Sequence, residues 1–167
     1  MKKLLLTLVA VLGMGIYSSF AQATTDFKIG VHAGIPVGDM ADFSDFNAGA
    51  DVSYLFGVAG ILEVGPLVGY SRYFVEDIDL GEFGSLELDD ASFLPVAASG
   101  RVDLGPVFAG LDLGYAVGLN DGNDGGFYYR PKVGFGFFGI NLIGSYSGIS
   151  MDGGEVSSVN LGVEFSF

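Results

Sequence analysis

The chain closes on Ser158-Val159-Asn160-Leu161-Gly162-Val163-Glu164-Phe165-Ser166-Phe167. Side chains alternate sides along an extended strand. Val159, Leu161, Val163, Phe165 and Phe167 therefore share one face, and Ser158, Asn160, Gly162, Glu164 and Ser166 share the other. Such a strand belongs to a sheet that separates two environments. The fold turns on which face is outside: a soluble sandwich turns its apolar face inward, and a barrel in lipid turns it outward.

The same alternation recurs seven more times, over 27–37, 48–58, 62–71, 94–104, 107–119, 129–137 and 140–147. It is clearest where Val107, Ala109, Leu111, Leu113, Tyr115, Val117 and Leu119 oppose Phe108, Gly110, Asp112, Gly114, Ala116 and Gly118. A water-facing sheet would carry many Lys, Glu, Thr and Gln residues. Here the polar face is mostly Gly, Ser and Ala, with charges of both signs set among them: Lys28, Asp51, Glu63, Arg101, Asp103, Asp112, Arg130, Lys132 and Glu164. Small residues around isolated long ones suit the interior of an eight-stranded barrel, which is just wide enough for side chains to fill. Buried charges must be paired. The pattern predicts a salt-bridged plug made from Asp51, Glu63, Arg101, Asp112, Arg130, Lys132 and Glu164, with Lys28 and Asp103 in water near a rim. The opposite face is almost uncharged. Arg72 has its parity, but at the end of a strand, where it can reach headgroups.

Connections predicted as tight, around Ala59-Gly60, Gly105-Pro106 and Phe138-Gly139, alternate with longer polar ones over 39–46, 76–90, 120–126 and 150–155. Short turns on one rim and long loops on the other, with an even strand count, put both termini on the short-turn side. Phe27, Phe137, Phe165 and Phe167 fall near that rim, and Tyr70, Tyr115, Tyr129 and Tyr146 near the other. Pro36, Pro66, Pro95 and Pro131 interrupt alternating segments, and a closed barrel has no edge strand to host them. They are expected at bulges close to the rims.

At the other end, Met1-Lys2-Lys3, an apolar run from Leu4 to Ile16 and Ala21-Gln22-Ala23 form a secretory leader with an Ala-x-Ala cleavage site, predicted as residues 1–23. The run is shorter than the roughly 17 residues a spanning helix needs. The remainder, 24–167, is one domain by size. It has no Cys, hence no disulfide and no lipid-anchored Cys at the cleavage site. Beyond Ile16 no apolar run approaches helical spanning length, so a membrane could be crossed only by a closed barrel. The net charge of −13 falls further once Lys2 and Lys3 leave with the leader. A chain this acidic repels phosphate backbones, which excludes nucleic acid as a partner.

Most of the acid lies in the four longer connections, which contain no Lys or Arg. Carboxylates suit Ca²⁺ or Mg²⁺. Asp121, Asn123 and Asp124 begin a partial calcium loop, but Gly125 and Lys132 stand where further ligands are needed. No metal site is assigned. A solvated acidic fringe, or divalent cations bridging it to anionic lipopolysaccharide, remains open. His32 is the single histidine and has lumen parity. Catalysis would require a hydroxyl such as Ser99 or Ser145 beside it. No HExxH, GxSxG or phosphate-binding loop occurs, and no cofactor is predicted.

The leader, the strand ladder, the loop asymmetry and the terminal Phe167 together resemble the small outer-membrane β-barrels, the OmpA/OmpX-like and porin-family barrel domains. The resemblance covers Thr24 to Phe167. Segments such as Gly65-Pro66-Leu67-Val68-Gly69-Tyr70 and Gly110-Leu111-Asp112-Leu113-Gly114-Tyr115 look like strands of that family. It implies an all-β, eight-stranded antiparallel up-and-down transmembrane barrel following a signal peptide. It also implies outer-membrane localisation of the Gram-negative type, a monomer among lipid and lipopolysaccharide, and Phe167 as part of the signal read by the barrel-assembly machinery. The expected role is non-enzymatic and structural, in the cell envelope. The alternatives are a narrow porin for small solutes, favoured by the inward glycines, a surface barrel binding cations or other ligands, and a lipid-modifying enzyme built on His32.

Overall fold

The computed structural model describes residues 25–58, 60–75, 78–79, 85–86, 90–120 and 122–167. The predicted leader, the cleavage junction, Asp121 and most of the 76–90 connection lie outside them. Ten strands follow in chain order: β1 (Thr25–Val37), β2 (Ser44–Gly57), β3 (Leu62–Val75), β4 (Ile78–Asp79), β5 (Ser85–Leu86), β6 (Ala91–Leu104), β7 (Val107–Gly118), β8 (Gly126–Phe137), β9 (Ile140–Met151) and β10 (Gly154–Ser166). The short β4 and β5 pair only with each other. The other eight close into an antiparallel barrel in the order β1-β10-β9-β8-β7-β6-β3-β2. The first and last strands seal it: Lys28 lies opposite Ser166 and Val37 opposite Ser157. Below this ladder Phe167 N–H donates to the Phe27 carbonyl at 2.9 Å. A 3-10 turn, Gly38–Asp42, links β1 to β2.

The predicted faces hold. Val31, Ile35, Val96, Leu111, Leu113, Val133, Leu142, Val159 and Leu161 point outward and are exposed, while Lys28, Asp51, Ser99, Arg101, Asp112, Arg130, Lys132, Asn160 and Glu164 are buried. This inverts the distribution of a water-soluble protein, and an apolar band that runs round the whole barrel is a surface suited to lipid. Exposed aromatics collect at both ends of the strands, but they are not sorted by type. Tyr54 packs edge-on against Phe56 near the short turns, and Phe46 stacks on Phe74 near the long loops.

Two expectations about the backbone fail. The 150–155 connection is no loop: β9 runs to Met151 and β10 starts at Gly154, leaving a two-residue turn. The prolines do not sit at bulges. The one register irregularity recorded in the barrel, between Ser44 and Phe46, contains no proline. Pro66, Pro95 and Pro131 lie inside ladders, opposite Ala98, Ala116 and Leu111. On its other side each leaves a gap of two positions without shifting register. Tyr129 faces Gly148 before the Pro131 gap and Lys132 faces Ser145 after it. In an antiparallel ladder a residue donates its N–H to one neighbouring strand only. A proline therefore forfeits one bond on one side, and a closed ring of eight strands holds the register from the other. Pro36 is a rim case, since the paired positions of β1 and β2 end at Gly34.

Among the described residues the long-loop rim carries one ion pair outside the lumen. Arg72 Nε donates to Asp90 Oδ2 at 2.7 Å, and the Asp90 Oδ1 atom accepts the Val75 N–H at 3.0 Å. The Val75 N–H, with the Arg72 guanidinium acting in the same sense against partial desolvation, holds the Asp90 carboxyl below the usual carboxylate range.

Candidate functional site: the closed lumen

Three layers fill the lumen between the short turns and the long loops. The middle layer is a charge cluster. Arg130 on β8 grips Asp51 on β2 with both terminal nitrogens, Nη1 to Oδ2 at 2.9 Å and Nη2 to Oδ1 at 3.3 Å. β8 and β2 are four places apart in a ring of eight, so this fork crosses the full diameter. Arg130 Nε donates to Asp112 Oδ2 at 2.7 Å, and Lys132 Nζ lies 2.8 Å from Asp112 Oδ1 and donates to Ser99 Oγ at 3.2 Å. His32 Nδ1 is 3.4 Å from Asp51 Oδ2. Two carboxylates thus meet an arginine and a lysine, and the bidentate geometry at Arg130 is the kind that makes burial of an ion pair tolerable.

The second charged layer lies nearer the short turns. Arg101 on β6 reaches Glu164 on β10, again across the full diameter, Nη2 to Oε1 at 2.7 Å. Asn141 Nδ2 donates to the same Glu164 oxygen at 2.8 Å. The Arg101 Nε atom has no hydrogen-bond partner; the guanidinium lies over the Phe108 ring, 3.7 Å from its centroid, where the ring face offers partial compensation. Gly134 makes room for Phe108, since a Cβ there would collide with the Phe108 ring. Lys28 is buried in the lumen and not at a wet rim: its Nζ lies 3.2 Å from Asp26 and 3.5 Å from Glu63. The expectation that put it in water followed from its nearness to the chain end and overlooked that Phe27 and Phe167 close the barrel below it.

The third layer, toward the long loops, is apolar. Leu67, Tyr73, Phe93, Ala97, Ala116, Tyr128, Ile149 and Val156 form one buried cluster, with Met40, Ala91 and Met151 packed on it. Tyr73 and Phe93 meet edge to face at 6.0 Å. A polar seam joins this cap to the wall: Tyr73 Oη and Ser158 Oγ are 3.1 Å apart, and Asn160 Oδ1 accepts from Asn47 Nδ2 at 2.7 Å. Sequence reasoning missed the cap. Its signal was available as parity: Tyr128 is two residues before Arg130, and Ile149 is two after Ser147.

Of the seven charges predicted for the lumen, Asp51, Asp112, Arg130 and Lys132 meet in one cluster and Arg101 and Glu164 in another, while Glu63, directly opposite Arg101 in the β3–β6 ladder, forms its ion pair with Lys28. Within the lumen two voids line the His32–Asp51–Arg130 contact, of 10 and 20 Å³. Each has room for about one water. Ser145 shares the larger with His32, and Ser99 is engaged by Lys132. Outside the cap the long loops enclose an open bowl of 770 Å³ whose lining includes Asp39, Asp90, Asp124, Asp152 and Glu155 and no Lys or Arg. Two of the three metal candidates, Asn123 and Asp124, line this bowl. Asp121 lies outside the described residues, Asn123 Oδ1 accepts the Gly125 N–H, and the Asp124 carbonyl accepts from Tyr115. Among the described residues no three His, Cys, Asp or Glu side chains are grouped to hold a metal ion.

A closed eight-stranded antiparallel barrel with an apolar exterior and a polar, filled interior is the architecture of the small outer-membrane barrels. The fold is similar to that of the outer membrane protein Ail of Yersinia pestis in a phospholipid bilayer nanodisc, with a TM-score of 0.58 and 16% identity over 86% of this chain and 98% of that one. It is also similar to Ail crystallised in complex with the heparin analogue sucrose octasulfate (0.54, 14%, covering 86% and 97%). A third neighbour is the N-terminal β-barrel domain of Pseudomonas aeruginosa OprF (0.53, 14%, covering 87% and 100%). No family model matches the chain, and no curated protein matches it.

Proposed function

We propose that the protein is a non-enzymatic barrel that spans the outer membrane and is closed to solutes, with a structural role in the envelope. The observation that carries the proposal is the filled lumen: an Arg130–Asp51 fork and an Arg101–Glu164 hydrogen bond crossing the diameter, an apolar cap above them, and voids of 10 and 20 Å³ beside the His32–Asp51–Arg130 contact. A porin needs a continuous water path, and the inward glycines are occupied by neighbouring side chains. At Gly49 and Gly110, for example, an added Cβ would meet His32 and Lys132. An enzyme built on His32 would have to admit a substrate to a void the size of one water. The leader over residues 1–23 supplies export, and Phe167, exposed beside Phe27, supplies the terminal aromatic read by the assembly machinery.

The acidic bowl favours a second, compatible reading in which the long loops meet cations, either divalent ions bridging to lipopolysaccharide or a cationic ligand. Its charge opposes a polyanion such as the sucrose octasulfate bound by Ail.

Fractionation with gel mobility tests the main reading. The mature chain is expected in outer-membrane extracts and, unboiled, to migrate differently from its boiled form because the closed barrel survives the detergent. Recovery as a soluble periplasmic protein with one mobility would overturn it.

A further inference from the structure

Every connection on the short-turn rim is flanked by exposed apolar side chains, Val58 and Ile61 at the first and Leu104 and Val107 at the second. The third, Phe138–Gly139, goes further. Both residues have positive φ, 50° and 79°, which is the mirror-image geometry of a tight two-residue hairpin. Asn-Gly is the usual occupant. Phe138 is the one non-glycine residue with positive φ among the described residues, and a bulky side chain in that region is strained. Little within the chain offsets the strain. The Phe138 ring is 90% exposed, and its ring contact is with the adjacent Phe137, centroids 4.3 Å apart. The same hairpin carries the outward apolar band to its tip through Val133, Phe135, Phe137, Ile140 and Leu142, with no charged residue between Val133 and Leu142.

We propose that the Phe137–Phe138 turn is a lipid-inserted foot, an aromatic wedge seated in the headgroup and upper acyl layer of the periplasmic leaflet. The short-turn rim is then submerged and does not project into water. The proposal rests on the membrane-spanning reading. Continuity with the lipid-facing band selects lipid as the occupant, and aromatic rings favour that interfacial layer. Transfer of the exposed ring out of water offsets the left-handed backbone.

The chain contains no Trp, so a single introduced indole reports one position. Phe138→Trp, folded into phosphatidylcholine vesicles, is expected to emit at shorter wavelength than free tryptophan. Lipids brominated near the headgroup end of the acyl chain should quench it strongly, and lipids brominated near the chain terminus weakly. Leu111→Trp, on the lipid face at mid-strand, should show the reverse depth order. If the indole of the Phe138→Trp variant emits as in water and escapes both quenchers while that of Leu111→Trp is quenched, the foot is wrong and the spanning barrel stands. If both escape, the spanning reading itself fails. Shielding of the indole at the turn in native envelopes but not in pure lipid would identify a protein contact and also overturn the proposal.

Discussion

Asp112→Ala is expected to destabilise the barrel by roughly 3–5 kcal/mol, the usual consequence of removing one partner from a buried ion pair. Asp112 is fully buried between two cations, accepting from Arg130 Nε at 2.7 Å and ion-paired with Lys132 Nζ at 2.8 Å. Its loss strands a positive charge between strands with no water to take its place. The cluster of Asp51, Asp112, Arg130 and Lys132 is electrically balanced, and Arg130 keeps Asp51 when Asp112 is removed. The surplus charge therefore belongs to Lys132. Adding Lys132→Met to Asp112→Ala should restore balance, so that the double variant is more stable than the single one. Urea titration of the barrel in lipid vesicles measures both. A double variant weaker than Asp112→Ala would show that the electrostatic account of the cluster is wrong.

Phe93→Ala is expected to cost a similar amount, about 3–5 kcal/mol, by a different mechanism. The Phe93 ring is 1% exposed, meets Tyr73 edge to face, and belongs to the cluster with Leu67, Tyr128 and Ile149. Truncation removes the ring and leaves a cavity that the stiff wall cannot collapse around. Phe93→Leu keeps most of the volume and should lose about 1.5 kcal/mol or less. The same titration separates the two. Equal losses for Ala and Leu would mean that the cap is loosely filled and contributes little.

Much of this architecture was legible in the residues. A period of two needs no tertiary information, so the outward face of Leu111 and Leu113 and the inward face of Asp112 and Arg130 could be read directly. Parity states only which side a residue takes. It does not state height or the direction in which a long side chain reaches across the lumen, and these decide partners: Arg130 finds Asp51 across the barrel, and Arg101 finds Glu164 although Glu63 is its cross-strand neighbour, while Glu63 meets Lys28. The apolar cap was overlooked because Tyr73, Phe93, Tyr128 and Ile149 look like further members of an outward apolar set unless their parity is counted. The prolines misled for the opposite reason. A local rule about missing N–H groups was applied to strands whose register is held by two neighbours, and Pro131 sits in mid-strand without a bulge. The Asp152-Gly153 turn was hidden by its polar flanks, which continue as paired strand from Ser150 to Glu155.

The sealed lumen is tested most directly by single-channel recording of the folded protein in a planar lipid bilayer. The filled interior predicts a flat trace at moderate voltage, with no reproducible unit conductance, from protein whose heat-dependent gel mobility confirms folding. Regular conductance steps from the same preparation would contradict the sealed barrel and establish a pore.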